Sequence, residues 1–549
     1  MPSWGRTQPP CEAGVAHPGR SLAGSRLARA PGAGGEQPTE TALSVLHPMS
    51  SDDPVPHAVL RRDGSFGGGL ADSPRSARRL PARLFFCLAL LTGASPLPAQ
   101  ERALFLEDVT IIDGTNSPPM EHASILIQRG RIAAVGHNGT ILRPPEIETR
   151  RLPGRYVIPG LIDMHAHVAI FVGDATDAGQ SNYHYDRKVS EQVLRTLLAF
   201  GIMTVRNPAA PAVEGVRLRD DVAAGKIAGP RIFTSGEGID HFAQPGPFVY
   251  VESEGDVRTE VRRQALARVD LIKLYSRLPE QLVAAAIREG HAQGLKVIGH
   301  LGATSWKQGA DLGIDGICHG APWDSATLPA AKRSGYESST KPYLKKRMDW
   351  LEALDLDGDE IRAMILALVR HHVVVDPTVI AYETKFRSND AFYLEAPDLT
   401  LVPDPVLHLW RTERPPTFGW TKEDHQRAQA LWPKLLALIK LYHDRGVRLV
   451  AGSDLPNPWV VPGASLHREL ELLASAGIPP QEVIGMATKN AADALGISGE
   501  VGTVETGKAA DLVVLTSNPL KSISNTRQIE YVIQGGRMID VKSLARGTF

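Results

Sequence analysis

The stretch Val157-Ile-Pro-Gly-Leu-Ile-Asp-Met-His-Ala-His-Val168 is an apolar run that closes on two histidines. A short apolar run bounded by Pro-Gly reads as a buried strand, here Gly160–Val168. Positions i and i+2 of a strand project to the same side, so His165 and His167 can offer both imidazoles to one ion. A His-x-His pair alone is often a chance occurrence, and its meaning depends on what else the chain brings to the same place.

Downstream of this stretch, strand-like runs alternate with helical ones. The runs are Met203–Asn207, Arg231–Ser235, Leu271–Tyr275, Lys296–His300, Gly316–His319, Val373–Thr378 and Arg448–Asp454. Most precede an amphipathic or Ala-rich segment, such as Pro279–Gly290 or Thr304–Leu312. With the first run, this makes eight strand–helix units and predicts an α/β fold, a (β/α)8 TIM-type barrel over residues 157–499. The segments 322–370 and 381–446 read as helical insertions around the later loops.

Upstream, residues 100–156 alternate short apolar runs with turn pairs at Asp113-Gly114, Arg129-Gly130 and Asn138-Gly139. A similar pattern returns in 500–549, with Ala510-Asp-Leu-Val-Val-Leu515 and Tyr531-Val-Ile-Gln-Gly-Gly-Arg-Met-Ile539. The two pieces are expected to form one small composite β-sandwich domain from the N- and C-terminal segments.

The chain has 549 residues, enough for a barrel, a smaller domain and a leader. Hydrophobic residues make up 43% and charged residues 22%, so a large core is available. Lys and Arg number 60 against 61 Asp and Glu, and this balance gives no field for nucleic acid. Cys11, Cys87 and Cys318 are too few for a disulfide framework or a cysteine zinc cluster. Any metal site must therefore use His, carboxylate or modified side chains.

Residues 1–77 are rich in Gly, Pro, Ser, Ala and Arg, and are expected to be disordered or untranslated, with Met49 an alternative start. Residues 78–99 have the three parts of a secretory signal: basic Arg78-Arg79-Leu-Pro-Ala-Arg83, apolar Leu84–Gly93 and a small-residue end at Ala99. The mature protein is expected to be exported, periplasmic or secreted, with no membrane anchor after cleavage.

In a barrel of this type, residues at the C-terminal strand ends face the active site. The first end carries His165 and His167, the fourth Lys273, the fifth His300, the sixth His319 and the eighth Asp454. Each has an ordinary explanation when taken singly. A lone histidine is usually hydrogen-bonded core, a lone lysine snorkels or pairs, and an Asp before Leu-Pro turns the chain. Together, in barrel order, they predict a metal site.

These segments, with Ala487-Thr-Lys-Asn-Ala-Ala-Asp-Ala-Leu-Gly496 and Gly502-Thr-Val-Glu-Thr-Gly-Lys-Ala-Ala-Asp-Leu-Val-Val-Leu515, resemble the amidohydrolase superfamily. The likeness spans about 103–545 and is greatest to imidazolonepropionase-like enzymes and exported Xaa-Pro-type dipeptidases. It implies that His165 and His167 hold one divalent metal and His300 and His319 a second. It further implies that Lys273, N6-carboxylated, bridges the two. Asp454 would bind the first metal and the nucleophilic hydroxide, acting as base and then as acid. Zinc suits such ligands, and manganese or cobalt could substitute.

The implied reaction is hydrolysis of a carbon–nitrogen bond in a small substrate such as a dipeptide or an N-acyl amino acid. A mononuclear deaminase or cyclic-amide hydrolase with unmodified Lys273 is the alternative, and a non-catalytic binder on the same scaffold a third reading. Further expectations are Asp163 as a residue orienting a ligand, and His241 and Tyr275 as substrate contacts. Cys318 is expected to point away from the metals. A homo-oligomer is compatible with the resemblance. One position departs from the dipeptidases: they carry Tyr three residues after the His matching His300, where this chain has Ala303.

Overall fold

The computed structural model describes residues 103–173, 184–244, 246–412 and 419–541. The leader and signal expectations for 1–77 and 78–99 lie outside these residues.

The N- and C-terminal β segments meet in one seven-stranded sheet. Its order is Arg537–Asp540, Ile529–Gln534, Leu512–Leu515, Glu148–Pro159, Leu104–Ile111, Met120–Gln128 and Arg131–His137. Leu512–Leu515 pairs antiparallel with the end of Glu148–Pro159, and this pairing joins the two ends of the chain. Two hairpins have two-residue turns, closing at Gln128↔Arg131 and Gln534↔Arg537. Arg129-Gly130 and Gly535-Gly536 both take positive φ at the two central residues, as a hairpin twist requires. Leu106, Ile125, Ile127, Val157, Val514 and Ile533 form a core shared by both termini.

Strands stand at all eight positions expected for the middle of the chain. Leu161–Asp163, Ile202–Asn207 and Arg231–Thr234 form a parallel three-stranded sheet. Leu271–Leu274, Lys296–Gly299, Gly316–Cys318, Val374–Asp376 and Arg448–Leu449 run parallel in a second sheet. That sheet also contains two short strands the sequence reading lacked, Gly238–Asp240 and Phe248–Tyr250. Between the sheets lie parallel bridges Ser235↔Leu271 and Ala166↔Leu455. The amides of Met164 and Asp454 donate to the carbonyls of Ala451 and His165 at 2.9 and 2.6 Å.

Every residue of Leu271–Leu274 is buried, as expected of a parallel strand covered on both faces. The covering helices begin at local caps. Ser253 and Asp256 form a capping box on Glu254–Leu266, Ser305 and Gln308 one on Trp306–Asp311, and Thr421 and Asp424 one on Lys422–Asp444. The expected insertion segments are helical, including Tyr343–Ala353 and Asp359–Arg370. Among the described residues, no helix is long and apolar enough to cross a membrane.

The strands are shorter than their apolar runs suggested. They end at Asp163, Cys318, Asp376 and Leu449, so His165, His167, His319 and Asp454 stand just beyond them. His319, Thr378 and Asp454 have φ of 75°, 44° and 63°, a left-handed conformation that ends strand geometry.

Candidate metal centre

The loops leaving the strands bring His165, His167, His319 and Asp454 to one point. Asp454 Oδ1 lies 3.3 Å from His165 Nε2 and 3.4 Å from His167 Nε2. Asp454 Oδ2 lies 3.8 Å from His319 Nδ1. Potential donor atoms of His165, His319 and Asp454 all fall within 4.8 Å of one another. The His300 ring packs edge-on against His319, with centroids 4.4 Å apart. Tyr275, an expected substrate contact, packs against His300 at 4.9 Å and lines the same cleft of about 550 Å³.

Burial, reinforced by Lys273, pushes the His165, His300 and His319 imidazoles well below their usual pKa. Neutral imidazoles carry the lone pair that a metal requires. Burial alone would raise Asp454, yet His165 and His167 hold its carboxyl below the usual range. The site therefore combines neutral nitrogen donors with an anionic oxygen, a set that fits a divalent ion.

Asp376, which the sequence reading passed over, sets the state of His165. Its Oδ1 accepts from His165 Nδ1 at 2.7 Å, leaving Nε2 turned toward Asp454. Its Oδ2 accepts from Arg206. Burial raises the Asp376 carboxyl, and Arg206 and Lys273 act against that rise. An acid within the apolar run Val373-Val-Val-Asp376 was the available signal, as was Arg206 at the end of its own apolar strand. His319 Nδ1 is similarly held, 2.8 Å from Thr378 Oγ1.

Asp163 acts on the backbone. Its carboxylate accepts from the His165 amide at 3.1 Å and from the Ser453 amide and hydroxyl at 2.9 and 2.6 Å. It ties the first strand end to the eighth, and burial pushes its pKa up to about 6.

Lys273 is 1% exposed, and its Nζ lies 2.9 Å from Cys318 Sγ. This corrects the expectation that Cys318 points away. Alternation holds only within the strand, which ends at Cys318; His319 has left it, so Cys318, buried in the core with Leu271 and Ile298 as expected, still lies beside Lys273. Cys318 also forms a possible donor group with His165 and Asp376. His241 is not brought to the cleft. Its Nδ1 lies 2.7 Å from the Val251 carbonyl oxygen, and its ring stacks on Tyr250. Ala303 is exposed, and its amide bonds Ser276; the tyrosines lining the cleft are Tyr275, Tyr343 and Tyr382.

A family model described as Amidohydrolase family matches residues 156–316 and 369–539. The chain belongs to the amidohydrolase family. It is thus a hydrolase acting on carbon–nitrogen bonds, from a family that is generally metal-dependent. It is 26% identical over 413 residues to an imidazolonepropionase of Maricaulis maris, covering 72% of this chain and 87% of that protein. An imidazolonepropionase of Symbiobacterium thermophilum is 25% identical over 458 residues, covering 78% and 91%. Two solved structures share the fold. A Xaa-Pro dipeptidase with methionine bound in its active site has a TM-score of 0.57 at 20% identity, covering 80% of this chain and 100% of that one. A bottromycin amidohydrolase has a TM-score of 0.62 at 21% identity, covering 82% and 89%.

Proposed function

We propose that this amidohydrolase is an exported binuclear enzyme that hydrolyses the amide bond of a dipeptide or an N-acyl amino acid. The supporting observation is the convergence of His165, His167, His319 and Asp454, with His300 alongside, at the mouth of parallel strands. The bonds linking the first and last strands would close those strands into a (β/α)8 barrel over 157–499. The terminal sheet over 100–156 and 500–549 would be its composite β-sandwich companion. The segments 1–77 and 78–99 would be a leader and an export signal.

His165, His167 and Asp454 would hold one ion, and His300 and His319 the other. Lys273 would bridge them once N6-carboxylated, because an ammonium cannot ligate and a carbamate presents two anionic oxygens. Zinc is the ion best suited to these donors. When bound, the ions supply Lewis acidity, which acidifies a water and polarises the scissile carbonyl.

Asp454 takes the water's proton on its carboxylate and returns it to the leaving amine nitrogen. Asp376 and Thr378 keep His165 and His319 in fixed ring orientations, and Asp163 holds the backbone beneath both ends of the site. The cleft volume suits a molecule of dipeptide size.

The test is metal content together with the state of Lys273. The mature protein should carry two divalent ions per chain and give a carbamate signal after growth in labelled bicarbonate. One ion per chain and no carbamate would overturn the binuclear reading. A second reading, a mononuclear cyclic-amide hydrolase with Lys273 unmodified, is supported by the likeness to imidazolonepropionases. It predicts that second result.

A further inference from the structure

Two arginines are buried among the described residues, and they differ in one respect. Arg206 has Asp376 as its partner. Arg347 is 8% exposed and forms no ion pair among the described residues. Its guanidinium donates to the Tyr343 hydroxyl, while its Nε has no hydrogen-bond partner. It lies over the Tyr343 ring at 4.0 Å and over the Trp323 ring at 5.1 Å. Burial lowers its pKa, and the acid felt most strongly there is the hydroxyl of Tyr382, not a carboxylate.

A buried guanidinium without a carboxylate is costly to hold. Here it is held at the active site. Arg347 lines the same cleft as His165, His300, His319 and Asp454, and its charge helps to depress His300 and His319. Lys385 adds a second positive charge to that cleft. Arg347 belongs to the helix Tyr343–Ala353, in the interval 317–368 that the family model leaves unmatched.

We propose that Arg347 binds the free carboxylate of the substrate, so that the enzyme acts on N-acyl amino acids and dipeptides with an unblocked C-terminus. This rests on the amide-hydrolase reading above. The planar guanidinium, fixed between two rings, offers Nε and a terminal nitrogen as a fork for two carboxylate oxygens. Binding there puts the scissile amide on the carboxylate's amino side, within the cleft that Asp454 also lines. A carboxamide in the same position leaves the charge unpaired and is rejected.

The experiment uses the metal-loaded full chain on paired probes: the N-acetyl-L-amino acids and dipeptides of the common residues, each beside its C-terminal carboxamide. The free acids should be cleaved with a kcat/KM roughly 100-fold above their amides. Arg347→Gln should erase that preference through loss on the acids alone. Arg347→Lys, which keeps the charge and loses the fork, should retain part of it. The melting temperature separates binding from scaffolding: an arginine serving the fold would lower it on substitution. Here Arg347→Gln should melt no lower than the parent, and the cleaved acids should raise the melting temperature of the parent only. Carboxamides cleaved as well as acids, a preference that survives Arg347→Gln, or a collapse of melting temperature in both variants would overturn the proposal. Cleavage of neither member of any pair would instead overturn the amide-hydrolase reading on which it rests.

Discussion

Replacing Asp376 by asparagine leaves the shape of the site almost unchanged and alters its charge and hydrogen bonding together. The carboxylate accepts from His165 Nδ1 through one oxygen and from Arg206 through the other. An amide has one acceptor, so either His165 loses the bond that fixes its tautomer or Arg206 meets an N–H. Both partners are buried, with His165 at 1% and Arg206 at 4% exposure, so water cannot replace what is lost. Breaking one member of a buried ion pair costs about 3–5 kcal/mol. Losing the carboxylate behind a metal-ligating histidine costs roughly 10–100-fold in metal affinity. Asp376→Asn should therefore unfold at a clearly lower urea concentration and give up its metal to a chelator at roughly 10–100-fold lower concentration. Chelator competition followed by metal analysis, on protein shown to be folded by circular dichroism, measures the second effect apart from the first. A folded Asp376→Asn that holds its metal as tightly as the parent would refute the assignment of Asp376 as the residue orienting His165.

Three further outcomes follow from the same geometry. Asp454→Asn should lower hydrolysis by about 10²–10⁴-fold while the circular dichroism spectrum stays that of the parent; an unchanged rate would remove Asp454 from proton transfer. Asp163→Ala frees the amides of His165 and Ser453 inside the core and should cost roughly 1–3 kcal/mol or more in denaturant unfolding, with a stability equal to the parent's counting against its structural role.

Glu469 is buried, accepts from the Ile380 amide at 2.7 Å, and has its pKa pushed up by burial to about 8. Because the folded value lies above the ordinary 4.5, its contribution is fully present below pH 4.5 and is lost as pH rises through about 8. The gap corresponds to roughly 5 kcal/mol. Glu469→Gln should therefore flatten the fall in stability between those limits, read by urea unfolding across pH; identical slopes in both proteins would contradict it.

The order of chemistry along the chain was legible from the sequence. Eight apolar runs of strand length, five of them carrying the expected His, Lys or Asp at or near the end, show the units and the metal-centre candidates, because side-chain type and spacing are local properties. The same local logic marked the Arg129-Gly130 turn. It misjudged Cys318, because alternation was carried past a strand end that the left-handed φ of His319 had already broken. The resemblance implied His241 as a substrate contact, whereas that ring turns to the Val251 carbonyl and Tyr250.

What only the tertiary structure decided is which distant groups meet. Asp376 stands 211 residues from His165, and Ser453 stands 290 from Asp163, yet each pair is within hydrogen-bond reach. Arg347 lies in the helix Tyr343–Ala353, whose sequence pattern says nothing of the cleft it lines. Whether a buried charge is paired depends on the atoms around it in space. The sequence carries the residue types, and the packing of strands and insertions determines the partners.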